Sequence, residues 1–287
     1  MIVTYSQMRI TGLLIGVLAS ALSSVEAQQV DSTKTLSDPV IQDNSFLVEE
    51  AYNQDAGVVQ HITTFQLQRR TNDFDASFTQ EWPVGSIKHQ LSYGIPFSRI
   101  DSQSGIGDVA VNYRYQLLGD GAAQLAISPR ISVTLPTGDW RKSRGNGAAG
   151  FNAMVPFSYV VSPMIVTHFD IGGSLTPSAR NASGDRARTA GWITAGSVIL
   201  TASRRIQPLL EAVYSRGQEV IGRNRTAWGE SALISPGLRG AFNFTSGLQI
   251  VPGIAYPIGV GASHGERSIF FYLSFEHPFN EKGRPSN

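Results

Sequence analysis

GIGDVAVNYRYQLLGDGAAQLAISPRISVTLPTGDW, residues 105–140, decides the fold class. Across residues 109–117 the odd positions read Val, Val, Tyr, Tyr, Leu and the even ones Ala, Asn, Arg, Gln. A turn at residues 119–121 follows. The alternation then resumes with Ala123, Leu125, Ile127, Pro129, Ile131, Val133 and Leu135 against Gln124, Ala126, Ser128, Arg130, Ser132 and Thr134. Successive side chains on a strand point to opposite faces, so each run is a ribbon with one oily side and one wet side. Both ribbons exceed the usual strand length of about five or six residues. That excess needs a cause.

The same ribbon recurs along the chain. Phe74, Ala76, Phe78 and Trp82 alternate with Asp75, Ser77, Thr79 and Glu81, and Ile87, Leu91, Tyr93, Ile95 and Phe97 with Lys88, Gln90 and Ser92. Phe151, Val155, Phe157, Tyr159 and Val161 form another oily edge; Ile165, Phe169, Ile171 and Leu175 form the next. Weaker runs lie near 188–203, 205–216, 227–240 and 245–258, and a clear one closes at 267–279. Connections near 83–86, 118–122, 162–163, 203–205 and 241–246 read as short. Those at 98–104, 137–147, 178–187, 217–226 and 259–266 read as mostly longer and polar, and only the first hairpin, at Arg70–Asn72, breaks the alternation. Trp82, Tyr115, Tyr159 and Phe279 fall near the short-turn rim, and Trp192, Tyr214, Trp228 and Tyr256 near the other. Long amphipathic strands, alternating turns and two aromatic girdles predict an all-β, transmembrane, antiparallel up-and-down barrel of about twelve strands. The excess length is then the height of a bilayer, which about ten tilted residues span.

The rest of the sequence divides around that barrel. Residues 1–27 read as a secretory signal, with Arg9 before an apolar run at 10–22 and a small-residue cleavage site at 25–27. Residues 28–56 form a polar N-terminal segment whose stretch 44–54, NSFLVEEAYNQ, suits either a short helix or an irregular plug. The barrel occupies 57–279, and 280–287 are a tail. A net charge of +1 gives no case for a nucleic-acid partner. The expected partners are outer-membrane lipid and small-molecule solutes, with the oligomeric state left open. The absence of cysteine rules out disulfides, thiolate metal sites and a cysteine nucleophile.

Charge placement points to the interior. A Lys or Arg facing lipid at the midplane costs roughly 2–4 kcal/mol. Lys88, Asp108, Arg114, Arg130, Asp170 and Glu276 have wet-face parity, which assigns them to the lumen together with His168. Arg114 and Arg130, on neighbouring strands, offer a basic patch for Glu49 or Glu50 of a plug. Such charges either form a structural ion-pair network or select a solute. His168 and Asp170 share a face and read as a lumen hydrogen-bond pair. Catalysis finds no support: the five histidines lack metal-ligand spacing, none precedes Ser-Asn-Gly, and the glycine-rich stretch at 145–150 has no Lys-Ser/Thr ending. No catalytic residue, metal site or cofactor is expected. Pro129, Pro156, Pro208, Pro236 and Pro252 fall inside proposed strands, where each lacks a ladder donor, so bulges or shifted strand ends are expected there.

Three segments carry a family resemblance: NSFLVEEAYNQDAGVVQHI (44–62), GIGDVAVNYRYQLL (105–118) and PRISVTLPTGD (129–139). They resemble the bacterial outer-membrane family named for the meta-pathway of phenol degradation, and SPGLRGAF (235–242) and LQIVPGIAYPIG (248–259) are compatible with it. The resemblance implies a single barrel in the outer membrane of a Gram-negative bacterium. It further implies a channel or transporter, often associated with aromatic-compound catabolism, and it offers no catalytic residues to carry over. The expectation is a passive channel for small molecules, hydrophobic or aromatic ones among them. The alternatives are a non-conducting barrel working through its outer loops and a lipid-modifying barrel enzyme.

Overall fold

The computed structural model describes residues 41, 43–201, 203 and 205–279; the leader, most of the lead-in and the tail at 280–287 lie outside the described residues. The strands are β1 (Val58–Gln68), β2 (Phe74–Val84), β3 (Ser86–Ile100), β4 (Gln103–Ile106), β5 (Ala110–Tyr115), β6 (Leu125–Ile127), β7 (Arg130–Thr134) and β8 (Gly150–Ser162). They continue as β9 (Ile165–Arg180), β10 (Arg186–Leu200), β11 (Ile206–Gly222), β12 (Arg225–Gly240), β13 (Phe242–Asn243), β14 (Gln249–Ala255), β15 (Ile258–Gly259) and β16 (Ser268–Pro278).

Twelve of these form a ring in the order β14-β16-β1-β2-β3-β5-β7-β8-β9-β10-β11-β12, with antiparallel pairing throughout. The ring closes where β12 meets β14 through Gly237↔Ala255, Leu238↔Ile254 and Arg239↔Gly253. Closure leaves no sheet edge, so every backbone ladder is satisfied within the wall. The short β4, β6, β13 and β15 extend ring members.

The two faces follow the sequence alternation, with the oil outside. Val111, Ile131, Val133, Phe151, Phe169, Ile171, Leu210, Ile234 and Phe271 are exposed, whereas Gln60, Gln90, Asn112, Gln116, Ser132 and Ser158 are buried inside. A water-soluble sheet protein has the reverse arrangement. Hydrocarbon outside and polar groups within is the arrangement a bilayer demands.

Two expectations need correction. Pro156, Pro208, Pro236 and Pro252 stay in register within their strands, and the ladder shifts lie elsewhere, at residues 83–84, 160–162, 187–189 and 220–222. Pro156 sits opposite a break between β6 and β7, and Pro236 opposite a break between β14 and β15, so for these two the missing donor falls where the neighbouring strand is already interrupted. Their carbonyls are used: Pro156 O accepts from Ser128 N–H and Pro236 O from Tyr256 N–H. The single ribbon read through Pro129 is therefore two strands.

Loop lengths differ too. The connections expected at 178–187 and 217–226 shrink to 181–185 and 223–224, because β9 to β12 continue upward as paired ribbons. Hydrophobic alternation fades where a strand leaves hydrocarbon, but its hydrogen-bond ladder does not. We call the end bearing Gly85, 163–164 and residues 201, 203 and 205 the lower rim, and the opposite end the upper rim.

The stretch around Gly105 and Thr137 builds an upper-rim clasp. Thr137 Oγ1 donates to Gly107 O at 2.9 Å, and Asp108 accepts from Gly138 N–H at 2.9 Å and Asn146 N–H at 2.7 Å. The Arg144 guanidinium lies so close over Gly105 that a Cβ there would collide with it. Asp108, assigned by parity to the lumen, precedes β5 and spends its carboxylate on these loop amides. Trp140 is flanked by the Arg141 and Arg180 guanidinium groups at 4.3 and 5.2 Å from its ring.

Candidate functional site

The described residues of 41–56 contain no helix and no strand, yet most of them are buried within the lumen. The segment travels round the inside of the wall near the lower rim, and we call it the belt. A chain buried without secondary structure must find partners for its amides and carbonyls elsewhere, at a cost of about 1–3 kcal/mol for each one left unmade. Inward side chains of the wall supply them.

The ladder can be followed strand by strand. Arg239 on β12 donates to Asp43 O at 2.7 Å and Asn44 O at 2.8 Å. Glu211 on β11 accepts from Leu47 N–H at 2.7 Å and Val48 N–H at 3.3 Å. Asp170 on β9 accepts from Glu49 N–H at 2.8 Å, and Ser158 on β8 from Ala51 N–H at 2.7 Å. Gln116, just past β5, accepts from Asn53 N–H at 2.8 Å and donates to Ala51 O at 2.8 Å. Gln90 on β3 accepts from Gln54 N–H at 2.7 Å. Carboxamides suit this task because each carries both a donor and an acceptor.

Arg114 reaches several belt residues at once. Its guanidinium donates to Glu50 O at 3.1 Å, Tyr52 O at 2.9 Å and Asn53 Oδ1 at 2.8 Å, with Glu81 at 3.8 Å. Arg130 is its register partner on β7. Two like charges directly opposite repel. Glu49 answers both, at 2.7 Å from Arg130 Nη2 and 4.0 Å from Arg114 Nη1. Among the described residues Glu50 makes no such pair; its carbonyl accepts from Arg114 and its N–H donates to Asn44 Oδ1 at 3.0 Å. Burial pushes the Glu50 carboxyl well above its ordinary range, and the neighbouring Asp43 charge adds to the shift while Arg114 opposes it.

The belt's first part is held differently. Phe46 packs with Ile41, Ile62, Ile199, Leu209, Val251, Phe270 and Tyr272 in the main apolar cluster. Its ring occupies a notch at Gly237 and Gly253, on the two strands that close the barrel, and a side chain at either glycine would collide with it. Asp43 accepts from Tyr272 and Ser274 hydroxyls and from Gln60 Nε2.

The remaining expected residues fall in different places. His168 does not pair with Asp170: its Nδ1 lies 2.7 Å from Ser158 Oγ on the adjacent strand. Side chains two apart on one strand are farther from each other than cross-strand neighbours. Lys88 is exposed at the lower rim, and Glu276 is partly buried in the wall. Glu211, Arg239, Gln60, Gln90, Gln116, Ser158 and Phe46 belong to the site but were not singled out from sequence. All of the wall residues among them have inward parity, which was the available signal.

Above the belt, in the upper half of the lumen, lies a cavity of about 440 Å³. Arg130, Asn112 and Asn152 line one part of it, and Met154, Ile193 and the glycines 173, 191 and 217 another. Among the described residues, no group of three His, Asp or Glu side chains is placed to hold a metal ion.

Residues 37–178 match the family described as "Putative MetA-pathway of phenol degradation". No curated protein matches the chain in sequence. Among solved structures, it is similar to the COG4313 outer membrane channel from Pseudomonas putida F1, with a TM-score of 0.56 at 12% identity, covering 79% of this chain and 97% of that one. It is also similar to the NanC porin, with a TM-score of 0.51 at 10% identity, covering 76% of this chain and 98% of that one. At such identities the likeness is one of fold.

Proposed function

This chain belongs to the outer-membrane family described as "Putative MetA-pathway of phenol degradation", and from that premise we propose that it is a passive channel of a Gram-negative outer membrane, closed in this structure by its own N-terminal belt. The observation that carries this reading is the belt itself. Wall residues of at least eight ring strands converge on residues 41–54, and above them is solvent-sized space rather than packed side chains. A barrel that needed only a filled core would use apolar side chains, whereas this lumen presents amides, hydroxyls and charges that water or a solute can take over when the belt leaves.

Opening would proceed by release of residues 48–54, which hydrogen bonds, the Glu49 ion pairs and a small contact of Ala51 and Tyr52 with Ala126 retain, while Phe46 stays in its glycine notch. No energy source is required; flow follows the gradient. The polar wall favours small water-soluble molecules over the apolar and aromatic ones expected from the resemblance, with the Met154–Ile193 surface as an apolar exception. The Ser158–His168 pair is the nearest approach to catalytic chemistry, and it is occupied in holding Ala51 N–H. An adhesive role has less support, since the upper connections at 181–185 and 223–224 are short.

Purified protein reconstituted in liposomes tests the reading. The full chain should admit small solutes slowly, and a variant lacking residues 43–54 rapidly. Absence of entry in both, with the barrel folded, would overturn it.

A further inference from the structure

The cavity above the belt combines three features that together describe a ligand. The first is a cation with an exchangeable partner. Arg130 pairs through Nη2 with Glu49 and donates through Nη1 to Asn112 Oδ1 at 3.3 Å, and among the described residues its Nε has no hydrogen-bond partner. The second is an electrostatic requirement: Arg114 and Arg130 oppose each other in register, so an anion must lie between them. Glu49 is that anion, and within residues 48–54 it is the one residue not buried. The third is an apolar shelf beside the cation. Met154 is the register partner of Arg130 and lies across Gly172, where any Cβ would strike its sulfur, and Gly172 in turn pairs with Ile193.

We propose that Arg130 and the Met154–Ile193 shelf form a binding site for a small organic carboxylate with a compact apolar body, and that such a solute takes the place of Glu49. An arginine fork recognises a carboxylate through two parallel hydrogen bonds, more than Glu49 makes with it here. The exchange replaces one carboxylate by another, so the arginine pair is never left uncompensated. Asn112, Asn152 and Ser174 complete the polar side of the cavity, and its volume of about 440 Å³ lies within the usual range for small-molecule sites. The solute thereby removes the ion pair that tethers the belt's polar half. Entry and opening become one event. The proposal rests on the reading of the lumen as a solute path, but the binding site can be tested without it.

Isothermal titration of the full chain in detergent, with benzoate as the probe, reads the site directly. Benzyl alcohol removes the charge and acetate removes the apolar body, and each should bind at least about tenfold more weakly than benzoate. Arg130→Gln should weaken benzoate by about tenfold or more, whereas Glu49→Gln, which leaves the wall intact and frees Arg130, should tighten it several-fold. Failure of benzoate to bind both the native chain and the Glu49→Gln variant overturns the proposal. So does equal binding of benzyl alcohol, or an Arg130→Gln variant that binds unchanged. If benzoate fails while the belt-less barrel conducts, the site falls and the channel stands; if benzoate binds while the belt-less barrel is tight, the reverse holds.

Discussion

The two halves of the belt are bound by different physics. Residues 41–47 place Phe46 in a cluster of buried apolar side chains and set Asp43 among three donors. Residues 48–54 bury Val48, Ala51 and Tyr52, the last two in a smaller cluster with Ala126, and depend more on the Glu49 ion pair and on hydrogen bonds to wall side chains that water can replace one by one. Apolar burial is lost only when the whole group leaves, whereas a hydrogen bond that water can take over nets about 0.5–1.5 kcal/mol. One half is therefore an anchor and the other a latch. A gate needs both, since a segment held only by polar contacts would drift away and one held only by packing would not open.

Changes in the anchor should cost most. Phe46→Ala empties the Gly237–Gly253 notch and should destabilise the docked belt by about 3–5 kcal/mol. Protease cleavage near residue 50 in detergent would report it, with the barrel's own melting left nearly in place. If the loss is no larger than for a latch variant, the anchor is misassigned.

Arg114→Gln comes next. It removes the donors to Glu50 O, Tyr52 O and Asn53 Oδ1, and hydrogen bonds to a charged group are worth about 1.5–3 kcal/mol each, though not additively. The expected outcome is frequent opening in planar bilayers with Phe46 still protected, seen as unchanged fluorine resonances from labelled phenylalanine. Loss of Phe46 protection would merge the two halves into one unit.

A smaller effect is expected from Glu49→Gln. Both partners of its ion pair with Arg130 are about a quarter exposed or less, so the pair contributes on the order of 1 kcal/mol and the open fraction should rise a few-fold.

A further change is expected with pH. The Glu50 carboxyl is raised by burial in the docked belt, so the docked state holds its proton more tightly than the released one. Its contribution to docking is full below the ordinary carboxylate range and is lost as pH rises through the raised value, so conductance should increase as pH rises above the ordinary carboxylate range. Asp43, Arg114, Glu276 and Arg239 surround it, and Glu50→Gln isolates its share by flattening the slope. A slope of opposite sign would contradict the assignment.

How far the sequence reveals this arrangement depends on the physical signal involved. The barrel is legible because hydrocarbon enforces strict alternation, as in residues 109–117, and because closing a ring needs many such ribbons. The strand extensions at Gly222 and Arg225 are not, since above the bilayer either face tolerates polar residues and a paired ribbon looks like a loop. The lumen position of Arg114 and Arg130 follows from parity alone. Parity fails for Asp108, which lies outside the strand it was assigned to. Glu211, Arg239 and Gln90 share the parity of many unremarkable wall residues, and only the path of the belt distinguishes them. Gly237 and Gly253 gain meaning only from the ring of Phe46, which is distant from both in sequence.

The absence of native cysteine allows a direct test of anchor against latch. Ala51→Cys with Ser158→Cys ties the latch to β8, and Asp43→Cys with Ser274→Cys ties the anchor to β16. Single-channel recording before and after reduction should show the latch-tied protein silent when oxidised and conducting when reduced, while the anchor-tied protein conducts in both states. Conductance that ignores the latch disulfide, or that is abolished equally by the anchor disulfide, would contradict the division of the belt into a fixed half and a moving half.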